Sequence, residues 1–284
     1  MSTPDPRGVA SHTSRRVRPD GQIEAPREDA LVREEPLEIR VAGEVVAVTM
    51  RTPGDDHELA LGFLFAEGLI LRAGEVGKIA HCGSPLEEGW GNVIDVLPAP
   101  GRTLDGGLLE RSLRGTWTSS ACGVCGRRSI DDLLARIAPR TNTTPIEARL
   151  LAAAAAQLGL EQPVFEATGA SHAALALSLD GAALARAEDV GRHNAVDKIV
   201  GALLAAGRLP EDPPALLAVS GRVSFEIVQK AAVAGIGAIV GISAPTSLAA
   251  ELAARAGMVL AGFARSSGFN LYVGAERVLG APPG

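Results

Sequence analysis

Aromatic residues are scarce in this 284-residue chain: they make up 3% of it, with one tyrosine and two tryptophans. Its core must therefore rest on aliphatic side chains. Basic residues do not outnumber acidic ones, and the net charge of −6 argues against a protein that coats nucleic acid or anionic membrane. A local basic pocket for an anionic ligand is compatible with that balance. Three cysteines cannot supply a disulfide framework. Long apolar runs are missing as well: Ala231 to Ala244 is too short, and too broken by glycines, to span a bilayer. The stretch from Met1 to Pro26 has charges and prolines but no apolar signal-peptide core. A cytoplasmic protein with no membrane or nucleic-acid partner is the expectation.

Two nucleotide signatures are also lacking. No GxGxxG precedes a suitable helix, and Ser220-Gly221-Arg222-Val223-Ser224 lacks the Gly-Lys-Ser/Thr spacing of a Walker loop.

What the chain does have is a period. After a polar stretch, residues 1–30, expected as a disordered tail, Leu37 to Val41 alternates, Ala42-Gly43 turns, and Val45 to Met50 returns as a hairpin. Asp55 or Asp56 is placed to cap a helix with Leu59, Phe63 and Leu64 on its apolar face, ending near Gly68. Asn92 to Leu97 reads as a strand. Ser129 to Ile137 and Arg149 to Leu158 read as helices. From His172 onward, strands at 173–179, 182–187, 215–219, 238–242 and 258–263 alternate with helices at 194–206, 223–234 and 247–256. That order predicts a layered α/β domain. The expected division is a tail over 1–30, a smaller α+β region over 31–125 and an α/β domain over 126–284.

Four segments could carry chemistry. In Thr118 to Arg128, Cys122 and Cys125 form a Cys-x-x-Cys loop followed at once by Arg127, Arg128 and a helix. Thiolate is the reactive form of cysteine, and an adjacent cation or helix N-terminus favours it. Zinc binding, dithiol redox chemistry and sulfur transfer all remain open for this pair. Zinc would need further ligands, yet His12, His57, His81, His172, His193 and Cys82 are scattered; no metal ligands are assigned. Asp189 to Lys198, with Arg192 and His193, joins a strand to a helix, with Asn194 a candidate N-cap; its gathered polar side chains suit either an anion or ligand site or a cap with a solvated charged face. Ser220 to Glu226, with Arg222, again ends a strand and opens a helix, where open α/β sheets bind ligands. Gly262 to Tyr272 reads as a loop between strands, in which Arg265 and its serines could face a phosphate or a nucleobase.

Taken together these stretches, with Met50 to Asp56, Leu61 to Leu64 and Gly169 to Ala174, resemble the formate dehydrogenase accessory sulfurtransferase family, FdhD. The resemblance runs from about residue 35 to the C-terminus. It implies a cytidine-deaminase-like layered α/β domain with a smaller N-terminal α+β domain, in a cytoplasmic homodimer. It implies a persulfide carrier whose persulfide forms on Cys122; the second catalytic candidate, Cys125, is left to receive the sulfur, to shield it or to release it by forming a disulfide. The partners it implies are a cysteine desulfurase as sulfur donor and formate dehydrogenase as client. The cargo is the molybdenum cofactor in its bis(molybdopterin guanine dinucleotide) form, held at Phe263, Ala264, Arg265, Ser266, Ser267 and Gly268; no metal of the protein's own is expected. The zinc deaminases of the wider superfamily carry Pro-Cys-x-x-Cys and His-x-Glu. Here Ala121 stands in place of the proline, and Asn194-Ala195 follows His193 with no glutamate.

Overall fold

The computed structural model describes residues 8–84, 86, 89–102 and 144–280. The Cys122–Cys125 loop, the helix expected over Ser129 to Ile137 and the division expected at 125/126 lie outside the described residues.

The chain opens with β1 (Val9–Ser14) and β2 (Arg27–Val32), an antiparallel ribbon. This corrects the expectation of a disordered tail from residue 8 on. Composition there offers little apolar surface, but hydroxyls and carboxylates pair across the ribbon. Thr13 donates to Glu28 at 2.8 Å, and Ser11 donates to the same carboxylate. Next come β3 (Glu35–Val41), β4 (Glu44–Arg51), α1 (Asp56–Glu67), β5 (Val76–His81) and β6 (Val93–Pro98). They form a four-stranded sheet in the order β4-β3-β6-β5, with α1 laid on it. The predicted hairpin and the strand at 92–97 are present.

After the undescribed stretch follow β7 (Ile146–Glu147), α2 (Ala148–Leu158), α3 (Pro163–Thr168), β8 (His172–Leu177), β9 (Ala183–Asp189) and α4 (Arg192–Ala205). The chain continues with β10 (Leu216–Val219), α5 (Phe225–Val233), β11 (Ala238–Gly241) and α6 (Ser247–Arg255). It closes with β12 (Val259–Arg265), β13 (Gly268–Val273) and β14 (Val278–Leu279). Six strands make the main sheet, ordered β13-β12-β11-β10-β8-β9; β10, β11 and β12 are parallel to one another and the rest antiparallel to their neighbours.

A strand turns alternate side chains to opposite faces, and both faces of this sheet are apolar. Ala174, Ala176, Leu217, Val219, Ile239 and Leu260 face α4, α5 and α6. Ala173, Leu175, Leu177, Leu216, Ala218, Val240 and Val259 face α2. The result is a helix–sheet–helix sandwich. The small alanines on β8 let the layers close without aromatic bulk.

The core of the smaller sheet, with Leu37, Ile39, Ile94 and Val96, runs into that of the larger one through α1 and α4. Two glycines permit this. A Cβ on Gly62 would sit 1.9 Å from the carbonyl oxygen of Asp197, and one on Gly201 would sit 1.8 Å from that of Glu58. The two helix backbones therefore touch directly. Helix α1 is consequently buried on more sides than the predicted face: Ala60, Leu61, Phe65 and Ala66 are covered along with Leu59 and Leu64, while Phe63 is half-buried. Neither expected aspartate caps it by its side chain. Asp55 is the N-cap residue but has a left-handed backbone, and Asp56 lies inside the first turn, gripped by Arg51 through two parallel bonds of 2.9 and 3.1 Å.

Candidate functional site

The parallel strands β10, β11 and β12 point their carboxyl ends the same way, and β8 begins and β9 ends at that edge. Three of the four segments singled out in the sequence therefore meet there. Loop 220–224 lies between the other two. It bridges residues 242–246 through Val223 and Pro245, and Gly221 abuts Arg192 and His172.

Much of the Asp189 to Lys198 segment holds the fold together. Asp189 is fully buried and accepts four hydrogen bonds. One oxygen takes the Thr52 N–H at 3.1 Å and Lys198 Nζ at 2.9 Å; the other takes the Gly191 N–H at 2.8 Å and Asn194 Nδ2 at 3.0 Å. Lys198 also donates to the carbonyls of Thr52 and Glu188 at 3.0 and 3.3 Å. Asn194 donates to the Met50 carbonyl at 2.7 Å and accepts from Thr49 Oγ1 at 3.1 Å. The N-cap is Gly191, not Asn194, because the Asn194 side chain is turned to Asp189 and the end of β4. This latch joins residues 49–52 to the turn that presents Arg192 and His193. Removing one partner of a buried pair leaves the other charge unpaired, at a cost of about 3–5 kcal/mol. Lys198→Ala is expected to lower stability by that much in a chemical-denaturation curve, and a loss under about 1 kcal/mol would show that the latch is not a stabilising unit.

His193 is the group the latch holds nearest the edge. Its Nε2 lies 3.0 Å from Ser224 Oγ and 3.1 Å from Glu226 Oε2. Burial, and then the charges of Arg192 and Lys230, push its pKa down to about 3, so the ring is neutral at physiological pH. A carboxylate only accepts, so Nε2 carries the ring proton and Nδ1 is left as an acceptor. Both contacts fall on one nitrogen. That excludes a serine nucleophile relay, in which hydroxyl and acid occupy opposite ring nitrogens. Ser224 is the N-cap residue of α5, yet its side chain makes no capping bond. Beneath His193, Lys230 donates to both oxygens of Asp197 at 2.6 and 2.8 Å and lies 5.8 Å from the Phe63 ring centroid. Burial raises the Asp197 carboxyl to about 6 against the pull of Lys230.

On the other side of loop 220–224, the segment expected as a loop is mostly a hairpin: β12 runs to Arg265 and β13 restarts at Gly268. Its register slips between Gly262 and Arg265. Phe263 is thereby put in the left-handed region at φ 52° with its ring 48% exposed, and its N–H donates to the Ser243 carbonyl at 3.2 Å. A bulky residue tolerates that backbone only where neighbours enforce it, and such strain gathers at functional positions. Arg265 anchors Nη1 on the carbonyls of Ile242 and Ala264, at 2.6 and 2.7 Å, and has no carboxylate partner among the described residues.

Three arginines, Arg192, Arg222 and Arg265, thus stand at this edge without an acidic partner among the described residues. A chain of net negative charge carries a positive rim there. The sequence singled out the segments that hold His172, Glu226 and Thr52 but gave these three residues no role of their own, and the Asp197–Lys230 pair was missed. Only the order Thr52…Asp189 could have pointed to the part of Thr52, and nothing local links residues so far apart.

This architecture is shared. Residues 32–279 match the model of the FdhD/NarQ family. A sulfur carrier protein FdhD from Anaeromyxobacter dehalogenans strain 2CP-C is 54% identical over 255 residues, covering 88% of each chain. One from Streptomyces avermitilis is 46% identical over 264 residues, 91% of this chain and 92% of that one. Among solved structures, a candidate formate dehydrogenase accessory protein from Desulfotalea psychrophila superposes with a TM-score of 0.72 at 26% identity, over 95% of this chain and 99% of that one. The chain is an α/β protein with a cationic strand-end site, and it belongs to the FdhD/NarQ family.

Proposed function

We propose that the protein is a sulfur carrier that serves formate dehydrogenase. The observation that carries the reading is its identity of 54% and 46%, over about nine-tenths of both chains, with proteins named for that role. The Cys122 thiolate attacks the outer sulfur of a cysteine desulfurase persulfide. The donor's S–S bond breaks, the donor cysteine leaves as thiolate, and Cys122 carries the sulfur as a persulfide. Release as sulfide needs two electrons. Cys125 supplies them by attacking the inner sulfur, so that a Cys122–Cys125 disulfide forms and HS⁻ departs.

The acceptor in this reading is the molybdenum cofactor with its two guanine nucleotides, bound as substrate before it enters formate dehydrogenase. A polyanion suits the unpaired arginines of the strand-end rim, and an exposed Phe263 ring suits a flat base. The three-layer sandwich fits a cytidine-deaminase-like fold, and we place the protein in the cytoplasm as a homodimer. Among the described residues no helix is long and apolar enough to cross a membrane.

Arg265 tests the cargo assignment. Arginine grips phosphate with parallel hydrogen bonds that lysine cannot copy. Arg265→Ala is expected to weaken binding of guanosine diphosphate by about 1.5–3 kcal/mol in calorimetry. Sulfur uptake, which needs the thiolate and not the nucleotide, is expected to persist while formate dehydrogenase activation is lost. Unchanged nucleotide affinity in a folded variant would remove Phe263 to Gly268 from the binding site.

A further inference from the structure

Arg192 differs from the other cations drawn into the protein. Arg51, Lys198 and Lys230 rest on carboxylates; Arg186 and Arg277 rest on main-chain carbonyls. Arg192 is half-buried, yet its side chain makes no hydrogen bond or ion pair with any described residue, and its Nε is closed off from solvent. Beside it lies His172, half-buried, its side chain equally without a hydrogen bond to any described residue. The two meet over Gly221: a Cβ there would lie 3.3 Å from Arg192 Cβ and Cδ and 3.3 Å from His172 Nδ1. The Arg192 charge also makes His172 harder to protonate, adding to the effect of burial. A guanidinium N–H removed from water with no acceptor costs the full desolvation of that group. An anion between these side chains would recover it, and the missing side chain at Gly221 lets the Arg192 stem and the His172 ring pack close to the same backbone position.

We infer that Arg192 and His172, meeting over Gly221, bind a phosphate group of the anionic substrate at a position separate from Phe263 to Gly268. This rests on the reading of the strand-end edge as the seat of a nucleotide-bearing cofactor, and it adds a second phosphate contact to that seat. Loop 220–224 and Pro245 separate the two positions, since Gly262 abuts Pro245 on one side and Gly221 abuts Arg192 on the other. The chemistry suits phosphate. The arginine fork matches two of its oxygens, and an imidazole next to a bound dianion takes up a proton and becomes a second cation. The charged and titratable groups that face His172 are Arg192 and His193 from α4 and Asp189 from β9.

Inorganic pyrophosphate, titrated onto the full-length protein, isolates phosphate recognition from base recognition. In imidazole ¹H–¹⁵N spectra the His172 signals are expected to shift, with the pKa of His172 rising on binding. Arg192→Gln is expected to weaken this binding event about tenfold or more, and Arg192→Lys to restore it only in part. Arg265→Ala should leave the His172 shift in place. Guanosine diphosphate is then compared: an Arg192-dependent affinity assigns the phosphate to the nucleotide, and an affinity indifferent to Arg192 refers it to another phosphate of the substrate. His172→Asn keeps the cation and carries the test if Arg192→Gln fails to fold; it is expected to abolish the tightening of pyrophosphate binding on acidification. The inference is overturned if folded Arg192→Gln binds pyrophosphate as wild type does with the same His172 shift. It is equally overturned if Arg265→Ala removes that shift, which would mean one site and not two. Sulfur uptake by the wild-type chain is scored apart: its failure would sink the carrier reading and leave the phosphate result standing by itself.

Discussion

Cys122→Ala is expected to abolish sulfur uptake from a cysteine desulfurase, while Cys125→Ala keeps at least part of it. The two outcomes differ because the cysteines are asked to do different things. In the proposed mechanism Cys122 breaks the donor persulfide, so without its thiolate the proposed acceptor is lost. Cys125 would act afterwards, as the source of two electrons for release. Arg127 and Arg128 follow within a few residues, and adjacent cations raise the thiolate fraction at neutral pH. Intact-mass measurement after incubation with desulfurase and free cysteine should show one added sulfur atom, removed by reductant. In Cys122→Ala the added mass should vanish; in Cys125→Ala the sulfur should load but be released poorly as sulfide. Cys82 is the internal control. It follows β5, half-buried, with its N–H paired to the Val93 carbonyl at 2.9 Å. A persulfide mapped to Cys82 with Cys122 unmodified would overturn the assignment.

The Cys-x-x-Cys spacing marks those two cysteines as reactive candidates but leaves zinc, redox and sulfur-transfer chemistry equally open. The strands and helices after His172 are legible in the sequence. There short continuous apolar runs bounded by glycine and polar turns mark strands buried on both faces, apolar residues repeat every third or fourth position in helices, and the structure keeps nearly every element expected. Where prediction fell short, the cause was distance along the chain or the absence of apolar signal. The β1–β2 ribbon is held by polar pairs across strands, which composition reads as solvated. Asn194 has the chemistry of an N-cap, but Met50, far back in the sequence, offers its amide a carbonyl at 2.7 Å. Asp189 reads as a polar group at a ligand loop, yet it is spent on four internal bonds. Its neighbours Arg192 and His193 are left to face the site. A motif that looks uniform along the chain thus divides into structural and ligand-facing positions only once Thr52 is brought beside it.

Gly201→Ala is expected to be among the most damaging single methyls that can be added within the described residues. The contact it violates is with backbone, since the new Cβ would fall 1.8 Å from the Glu58 carbonyl oxygen and 2.8 Å from Glu58 Cα. A flexible side chain could swing away; a helix backbone cannot. Helices α1 and α4 would have to separate by about 1 Å or more to restore van der Waals contact. That loosens Leu59, Leu64, Ile199 and Val200 at once, all buried to 1% exposure or less. Overpacking costs about 1–3 kcal/mol in ordinary cores and more where nothing can relax. A loss above about 3 kcal/mol is expected, or a fall of roughly 10 °C in melting temperature for a chain of this size. Gly74→Ala, where an added Cβ meets nothing within 4 Å, should melt with wild type. Gly62→Ala alone should behave like Gly201→Ala, because its Cβ would meet the Asp197 carbonyl on the same interface at 1.9 Å. The double variant should then cost less than the sum: once one methyl has pushed the helices apart, the second enters space already opened. Strictly additive losses would mean that the helices do not move as units. A Gly201→Ala protein melting within about 2 °C of wild type would mean that their backbones are not in direct contact.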